Sequence, residues 1–231
     1  PLLLSLLLAC LGPAGASGAP KPAPTQEAAV ATDCTVTVGA EALADAVQNA
    51  PEGAILCVSP GHSRGLITLD KSVTIRALGE GVVLDGGGEG PVLAVDGDRL
   101  SIHLEGLEFT GGVAHSGGVL MLEARSEVTF LGCAFTGNRA TEFGGGALHA
   151  VRGKIVLDAC SFTANEGGTG AALLADGVSL WEIKGSSISG NRGARGALAA
   201  REGAQVTISG GSIAGNDLAE AGGAAIWAQG T

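Results

Sequence analysis

The sequence predicts an all-β protein, a right-handed parallel β-helix (β-solenoid) with three strands in each coil of about 25 to 27 residues. Three observations predict this fold: a short motif recurs at nearly constant spacing, apolar residues alternate beside each copy, and glycine occupies 40 of 231 positions. Glycine costs about 1 kcal/mol at an interior helical site, so a helical bundle of this composition is disfavoured. Collagen is excluded because the glycines keep no three-residue period.

The recurring motif carries phenylalanine or isoleucine at its third position and asparagine at its sixth. Its copies lie at residues 133–138, 160–165, 186–191 and 211–216, and a weaker copy lies at 107–112. Apolar residues stand three and five positions before each copy, and a third apolar column, mostly leucine, follows the glycine-rich connections. Because side chains alternate across a strand, each coil should hold three strands that bury their inward side chains by stacking on neighbouring coils.

A short helix is expected before the coils. Residues 41–47 carry apolar side chains at helical spacing directly after the strand from Cys34 to Val38. We expect this helix to cap the open end of a β-helix domain that covers residues 34–231. The last coil breaks off at Thr231 after one strand, so we expect further coils or a C-terminal cap beyond it.

Residues 1–10 have the features of an export signal. The apolar run from Leu2 to Ala9 is too short to span a bilayer. The sequence Leu7-Leu8-Ala9-Cys10 resembles a bacterial lipobox, in which the cysteine is lipidated and becomes the first residue. The alternative is cleavage near residues 14–16 and free secretion, with Cys10 discarded. Residues 11–33, rich in alanine, proline and glycine, should form a flexible tether.

We therefore expect a protein of the cell envelope, either an outer-membrane lipoprotein or extracellular, whose only membrane contact is the lipid anchor. Lysine and arginine number 13 against 23 acidic residues, which gives a net charge of −10. This charge repels phosphate backbones, so nucleic acid is not an expected partner. The expected partner is a protein or a glycan at the cell surface.

The four remaining cysteines allow two disulfides in an oxidising compartment. Cys133 and Cys160 occupy the same position of consecutive motif copies, so adjacent rungs place their Cα atoms ~4.8 Å apart, within reach of a disulfide. Their side chains run parallel rather than converging, and two buried free thiols are the alternative. Cys34 with Cys57 is the second candidate pair, although strand alternation points Cys57 outward.

Several segments resemble known repeats. Phe-x-x-Asn at 135–138 and 162–165, alternating with Gly-Gly-Ala-Leu at 145–148 and Gly-Gly-Ala-Ala-Ile at 222–226, resembles the repeats of chlamydial polymorphic membrane proteins. Residues 43–61, followed by Lys71-Ser-Val-Thr-Ile75, are similar to the start of many pectin-lyase-like β-helices. The resemblance covers residues 34–231 and implies the fold, together with an adhesin-like function. The fold itself also hosts lyases, hydrolases and inert stalks.

Outward strand positions are where enzymes of this fold hold their catalytic groups. On the two strands that flank the turn before each motif copy, no two carboxylates face each other on successive rungs, as two-carboxylate glycoside hydrolysis needs. The sequence therefore favours a non-enzymatic binding scaffold without catalytic residues. The alternative is a polysaccharide lyase or glycoside hydrolase whose active site lies in coils outside this chain.

One acidic column is a weak candidate for a metal site. Asp70, Asp96 and Glu123 stand on three consecutive coils, just past the strand of the leucine column. Like charges at rung spacing repel each other, and a Ca²⁺ ion could relieve that repulsion through oxygen ligands. The alternative is a solvated turn neutralised by Lys71 and Arg152, and no other cofactor is expected.

Two further columns complete the set of candidates. Asn138, Asn165, Asn191 and Asn216 share one turn, where asparagine tolerates left-handed geometry and can stack its amides into a ladder. A second column, the apolar stripe, occupies outward positions on the strand of the leucine column. It comprises Ala94, Met121, His149, Leu174, Ala199 and Trp227. Long turns cover this stripe, or else Met121, His149, Leu174 and Trp227 form an interface with another protein.

Overall fold

A computed structural model describes residues 33–219 and 224–230 of the chain. The protein is mostly β, with 53% of residues in strands and 5% in helix, and its parallel sheets stack as a solenoid of about six turns. The all-β solenoid predicted by the sequence is confirmed. Residues 1–10 with Cys10, and nearly all of the 11–33 segment, lie outside the described residues.

Sheet A contains the strand that precedes each motif copy. Within the described part of the chain its strands, in spatial order, are Val36–Gly39, Ala54–Ser59, Val73–Ala77, Ser101–Glu105, Glu127–Leu131, Lys154–Asp158, Leu180–Lys184 and Gln205–Ser209. Sheet B contains the motif itself. Its strands are Gly61–Arg64, Val82–Asp85, Glu108–Thr110, Ala134–Thr136, Ser161–Thr163, Ser187–Ser189 and Ser212–Ala214.

Sheet C carries the leucine column and begins as a two-stranded part, Ile67–Leu69 with Leu93–Val95. It continues through Leu120–Leu122, Leu148–Ala150, Gly170–Ala175, Gly196–Arg201 and Ala224–Gln229. The two parts are joined by a hydrogen bond from the Leu93 amide to the Val119 carbonyl, at 2.9 Å. All three sheets pair in parallel, as stacked coils of one chain require.

A fourth, very short strand lies between sheets B and C, and the three-strand prediction missed it. Val113–Ala114 pairs with Arg139–Ala140, and Arg192–Gly193 pairs with Asp217–Leu218. Single bridges through Glu166 link Arg139 to Arg192, so the column is continuous. Two paired residues per coil are too few to leave an alternating pattern in the sequence.

The core is formed by the inward columns of the three long sheets. Phe109, Phe135 and Phe162 are fully buried in consecutive coils, and their rings stack with centroids 4.9 and 4.4 Å apart. Burying an aromatic side chain contributes about 1.5 to 3 kcal/mol, and offset stacking adds about 1 kcal/mol. The motif phenylalanine is therefore what holds sheet B to the core.

The predicted cap is present at the first coil. A 3₁₀ turn at Ala40–Ala42 leads into the helix Leu43–Asn49, whose Leu43 and Val47 are fully buried. The helix packs against the strand Ile67–Leu69 of sheet C. These contacts cover the end of the core that no preceding coil protects.

Candidate binding site on the outer face of sheet C

The apolar stripe is stacked in register but is largely covered by the turns of its own chain. Met121 pairs with His149, His149 with Leu174, and Leu174 with Ala199. Met121 is 38% exposed, whereas His149 is 6% exposed and both Leu174 and Ala199 are fully buried. The expected interface is thus wrong at His149 and Leu174, because the connections before each sheet C strand fold back over the middle of the stripe.

Glycines make this close cover possible. A Cβ atom added at Gly117 would lie 3.0 Å from the backbone nitrogen of His149, and one at Gly145 would lie 2.5 Å from that of Leu174. Gly196 stands in the same relation to Trp227, at 2.9 Å. Real Cβ atoms do not approach a backbone atom so closely, so only glycine fits at these positions.

A cleft of about 660 Å³ opens where the cover begins. One wall is the segment Glu89–Val95, the other is the turn 113–117, and Met121 and Glu123 lie between them. Pro91, Val95 and Met121 give the cleft an apolar floor, while Glu89 and Glu123 place two carboxylates at its edge. The cleft is therefore both apolar and acidic.

A polar chain anchors the turn that forms the second wall. The Ser116 hydroxyl forms a hydrogen bond with Nδ1 of His149, and Nε2 of His149 lies 3.4 Å from Oδ2 of Asp176 without hydrogen-bond alignment. Arg201 donates from Nη2 and Nε to the same Asp176 oxygen, at 2.7 and 3.0 Å. The amide of Gly177 donates to Oδ1 of Asp176 at 2.8 Å. Side chains from four coils are thereby linked in series.

The burial of this chain determines its charges. Burial lowers the pKa of His149 below its ordinary value of 6.5, and the Asp176 carboxylate only partly offsets that effect, so the imidazole is neutral at pH 7. Burial acts to raise the pKa of Asp176, but hydrogen bonds from Arg201 and the Gly177 amide outweigh it and the pKa is lowered. The hydrogen bond with Asp176 in turn raises the pKa of Arg201. The chain therefore contains one carboxylate paired with one guanidinium, and a neutral histidine between Asp176 and Ser116.

The order hydroxyl, imidazole, carboxylate is also that of activated serine nucleophiles. Acyl transfer further requires donors aimed at a developing oxyanion, and these are most often backbone amides beside the nucleophile. Here the amides of Gly117 and Gly118 donate to the carbonyls of Gly145 and Gly146, at 3.2 and 3.0 Å. The arrangement is suited to holding the turn against sheet C, and the sequence did not predict it because its members are 33 and 27 residues apart.

The acidic column does not converge on a metal site. Asp70 lies 3.4 Å from Lys71, Asp96 is exposed, and Glu123 lines the cleft. In the described ranges, no group of three or more His, Cys, Asp or Glu side chains is arranged to hold a metal ion. The acidic residues therefore contribute charge to the surface and to the cleft.

The cysteine pairing differs from the one that we favoured. Cys34 and Cys57 form a disulfide with Cα atoms 5.7 Å apart, while Cys133 and Cys160 are free and buried. The two thiols point the same way, because each donates to a carbonyl of the preceding coil at 3.3 Å. Interaction with the Cys160 thiol, together with burial, raises the pKa of Cys133. The expected Cys133–Cys160 bridge is corrected to a pair of stacked thiols.

The four asparagines form a hydrogen-bonded ladder along one edge of the solenoid. The Nδ2 group of Asn138 donates to Oδ1 of Asn165 at 3.0 Å, and the next two steps, Asn165 to Asn191 and Asn191 to Asn216, are both 2.9 Å. Each amide also donates to a backbone carbonyl two coils' edges away in the wall, as from Asn165 to Phe135 at 2.9 Å. Asn138, Asn165 and Asn191 are fully buried. The ladder satisfies polar groups inside the turn between sheet B and the short fourth strand.

Comparisons with known proteins add no name to this architecture. No protein-family model matches the chain, and no significant match is found among curated proteins. Within residues 33–219 and 224–230, no helix is both long and apolar enough to cross a membrane.

Proposed function

We propose that the protein is an exported, non-enzymatic β-helix of the pectin-lyase-like type that serves as an adhesin-like binding scaffold of the cell envelope. The observation that carries the proposal is the preformed cleft beside Met121, whose second wall is held by Ser116, His149 and Asp176. A rigid cleft loses little conformational entropy when a partner binds. The repeats resembling those of polymorphic membrane proteins support the same function.

The partner proposed for this cleft is a protein segment that presents basic and apolar side chains. Among the described residues that line the cleft there are two glutamates and no lysine or arginine. The whole chain carries a net charge of −10, which attracts cationic partners over a longer range. Apolar partner side chains would contact Pro91, Val95 and Met121.

Synthetic peptides test this assignment directly. We expect a peptide of alternating lysine and leucine to bind in isothermal titration calorimetry, and the variant with Glu89→Gln and Glu123→Gln to bind about tenfold more weakly. Glu80→Gln is the matched control, because Glu80 is exposed and does not line the cleft. Equal binding of a glutamate and leucine peptide would refute the proposed partner chemistry.

The Cys34–Cys57 disulfide supports export, because disulfides persist in oxidising compartments. Attachment through a lipid on Cys10 predicts that a palmitate analogue labels the wild-type protein in cells but not Cys10→Ala. Two or three acyl chains suffice for stable membrane attachment. Equal labelling of both proteins would contradict the anchor, and free thiols at both Cys34 and Cys57 in protein from the envelope would contradict export.

A further inference from the structure

Three arginines form a column on successive coils at the turn that joins sheet C to sheet A. Arg99, Arg125 and Arg152 line a groove of about 540 Å³, together with the Glu127–Lys154 ion pair. The amide of Arg99 donates to the carbonyl of Arg125 at 3.2 Å, so the first two are direct neighbours. The column concentrates positive charge on a chain whose net charge is −10.

These arginines differ from the other basic residues in having no partner within the protein. In the part of the chain that the structure describes, the arginines that make no ion pair, side-chain hydrogen bond or aromatic contact are Arg99, Arg125, Arg139 and Arg152. Three of these four lie in the groove. The nearby carboxylate of Asp98 is engaged elsewhere, since its Oδ1 accepts from the backbone amide of Arg125 at 2.9 Å.

Unrelieved like charges at rung spacing favour an anionic ligand. Parallel rungs are ~4.8 Å apart, so the three guanidinium groups repel one another along about two rungs. The planar guanidinium binds sulfate and phosphate oxygens through paired N–H donors. A linear ligand with anionic groups repeated along its length could neutralise the column one coil at a time.

The rest of the groove indicates what kind of polymer this is. Leu100, Val178 and Leu180 lie beside the arginines, and Val178 and Leu180 are 72% and 43% exposed. Sugar rings present apolar C–H faces as well as substituents, so a glycan can contact both these side chains and the arginines. A nucleic acid is disfavoured, because its long phosphate backbone would meet the acidic remainder of the surface.

We propose that this groove, the arginine groove, binds a linear glycan that carries sulfate or phosphate esters. The site is distinct from the cleft beside Met121, and it does not depend on the function proposed for that cleft. The two ester types share the tetrahedral oxyanion that the arginines recognise, and the probes below separate them.

Binding of dextran sulfate and of phosphorylated dextran to the full chain, measured by surface plasmon resonance, tests the proposal. We expect at least one of them to bind in a salt-dependent manner and unmodified dextran not to bind. Arg125→Gln and Arg152→Gln should each weaken binding about fivefold, and the triple variant that adds Arg99→Gln should weaken it about a hundredfold.

Arg139→Gln is the matched control, because Arg139 is also exposed and unpaired but lies outside the groove. It should leave binding within about twofold of the wild type, and circular dichroism should stay unchanged in all variants. An equal loss in Arg139→Gln and Arg125→Gln would overturn the site in favour of general charge attraction. Absence of binding to both charged dextrans, or equal binding of single-stranded poly(dT), would overturn the ligand class.

Discussion

The asparagine ladder and the apolar stripe are both columns of stacked residues, yet they are stabilised in different ways. Along the ladder the same side chain repeats, and each amide is the hydrogen-bond partner of the next, from Asn138 to Asn165 and onward. Along the stripe the side chain changes at every coil, from Met121 to His149 to Leu174. No neighbour there supplies a matching partner, and the chain's own turns cover the column instead.

The difference indicates where a solenoid can vary. A column of identical residues satisfies its own polar groups, so any substitution within it leaves buried donors and acceptors unpaired. A column covered by turns accepts different residues as long as the turns can approach it. The binding chemistry of this protein accordingly lies at turns, in the cleft beside Met121 and in the arginine groove.

The strongest test of the ladder is Asn165→Leu. The substitution leaves the carbonyl of Phe135 without its side-chain donor, and it leaves the Asn138 amide group and backbone N–H without their acceptor. Each unpaired buried group costs about 1 to 3 kcal/mol, so unfolding in urea should show a loss of about 4 kcal/mol. Asn49→Ala is the control, since Asn49 is exposed in the capping helix. A loss below about 1 kcal/mol would show that the ladder does not stabilise the fold.

Gly145→Ala tests the turns that cover the stripe. A methyl group at this position would lie 2.2 Å from the Leu148 carbonyl oxygen and 2.5 Å from the Leu174 nitrogen, so the turn must move away from sheet C. We expect a loss of about 2 kcal/mol in the free energy of unfolding, and faster hydrogen exchange at residues 142–146. Gly90→Ala provides the comparison, because a methyl group there has open space. Equal stability of the two variants would mean that the turns are not closely packed.

The pH dependence of stability tests the burial of His149. Because burial lowers its pKa in the folded protein, the unfolded chain binds a proton that the native protein does not, from pH 6.5 downward. Stability should therefore fall as the pH decreases below about 6.5, by at most about 1.4 kcal/mol per pH unit. Urea midpoints between pH 5 and 8 should show a shallower slope in His149→Gln than in the wild type or in His103→Gln. Identical slopes in all three proteins would contradict the buried, neutral imidazole.

Ala164→Gly tests the smallest expected effect, in the turn just before the ladder. Ala164 has a φ of 54°, in the left-handed region, whereas the equivalent positions of the neighbouring coils are Gly137 and Gly190, with φ of 67° and 65°. Glycine adopts this conformation without strain, so the substitution should stabilise the protein by about 0.5 to 1 kcal/mol. Ala134→Gly, within a strand of sheet B, should instead destabilise it in the same thermal melts. A stability loss in Ala164→Gly would contradict the assigned turn geometry.

The sequence alone determined the repeat, the inward columns and the register of the ladder. A motif that returns every 25 to 27 residues requires equivalent positions to stack, and burial of Phe109, Phe135 and Phe162 follows from that rule alone. The short helix before the first coil was also predictable, because its apolar residues keep helical spacing and follow the first strand.

Only the tertiary structure decided what happens outside the wall of the coil. The path of the turns buries His149 and Leu174, brings Ser116 to His149, and leaves Met121 beside an open cleft. The repeat specifies which residues share a column but not how closely a connecting turn approaches it, since that distance depends on single glycines and on contacts between coils. The same reason explains the cysteines: stacking placed Cys133 and Cys160 side by side, and the direction of their side chains kept the thiols apart.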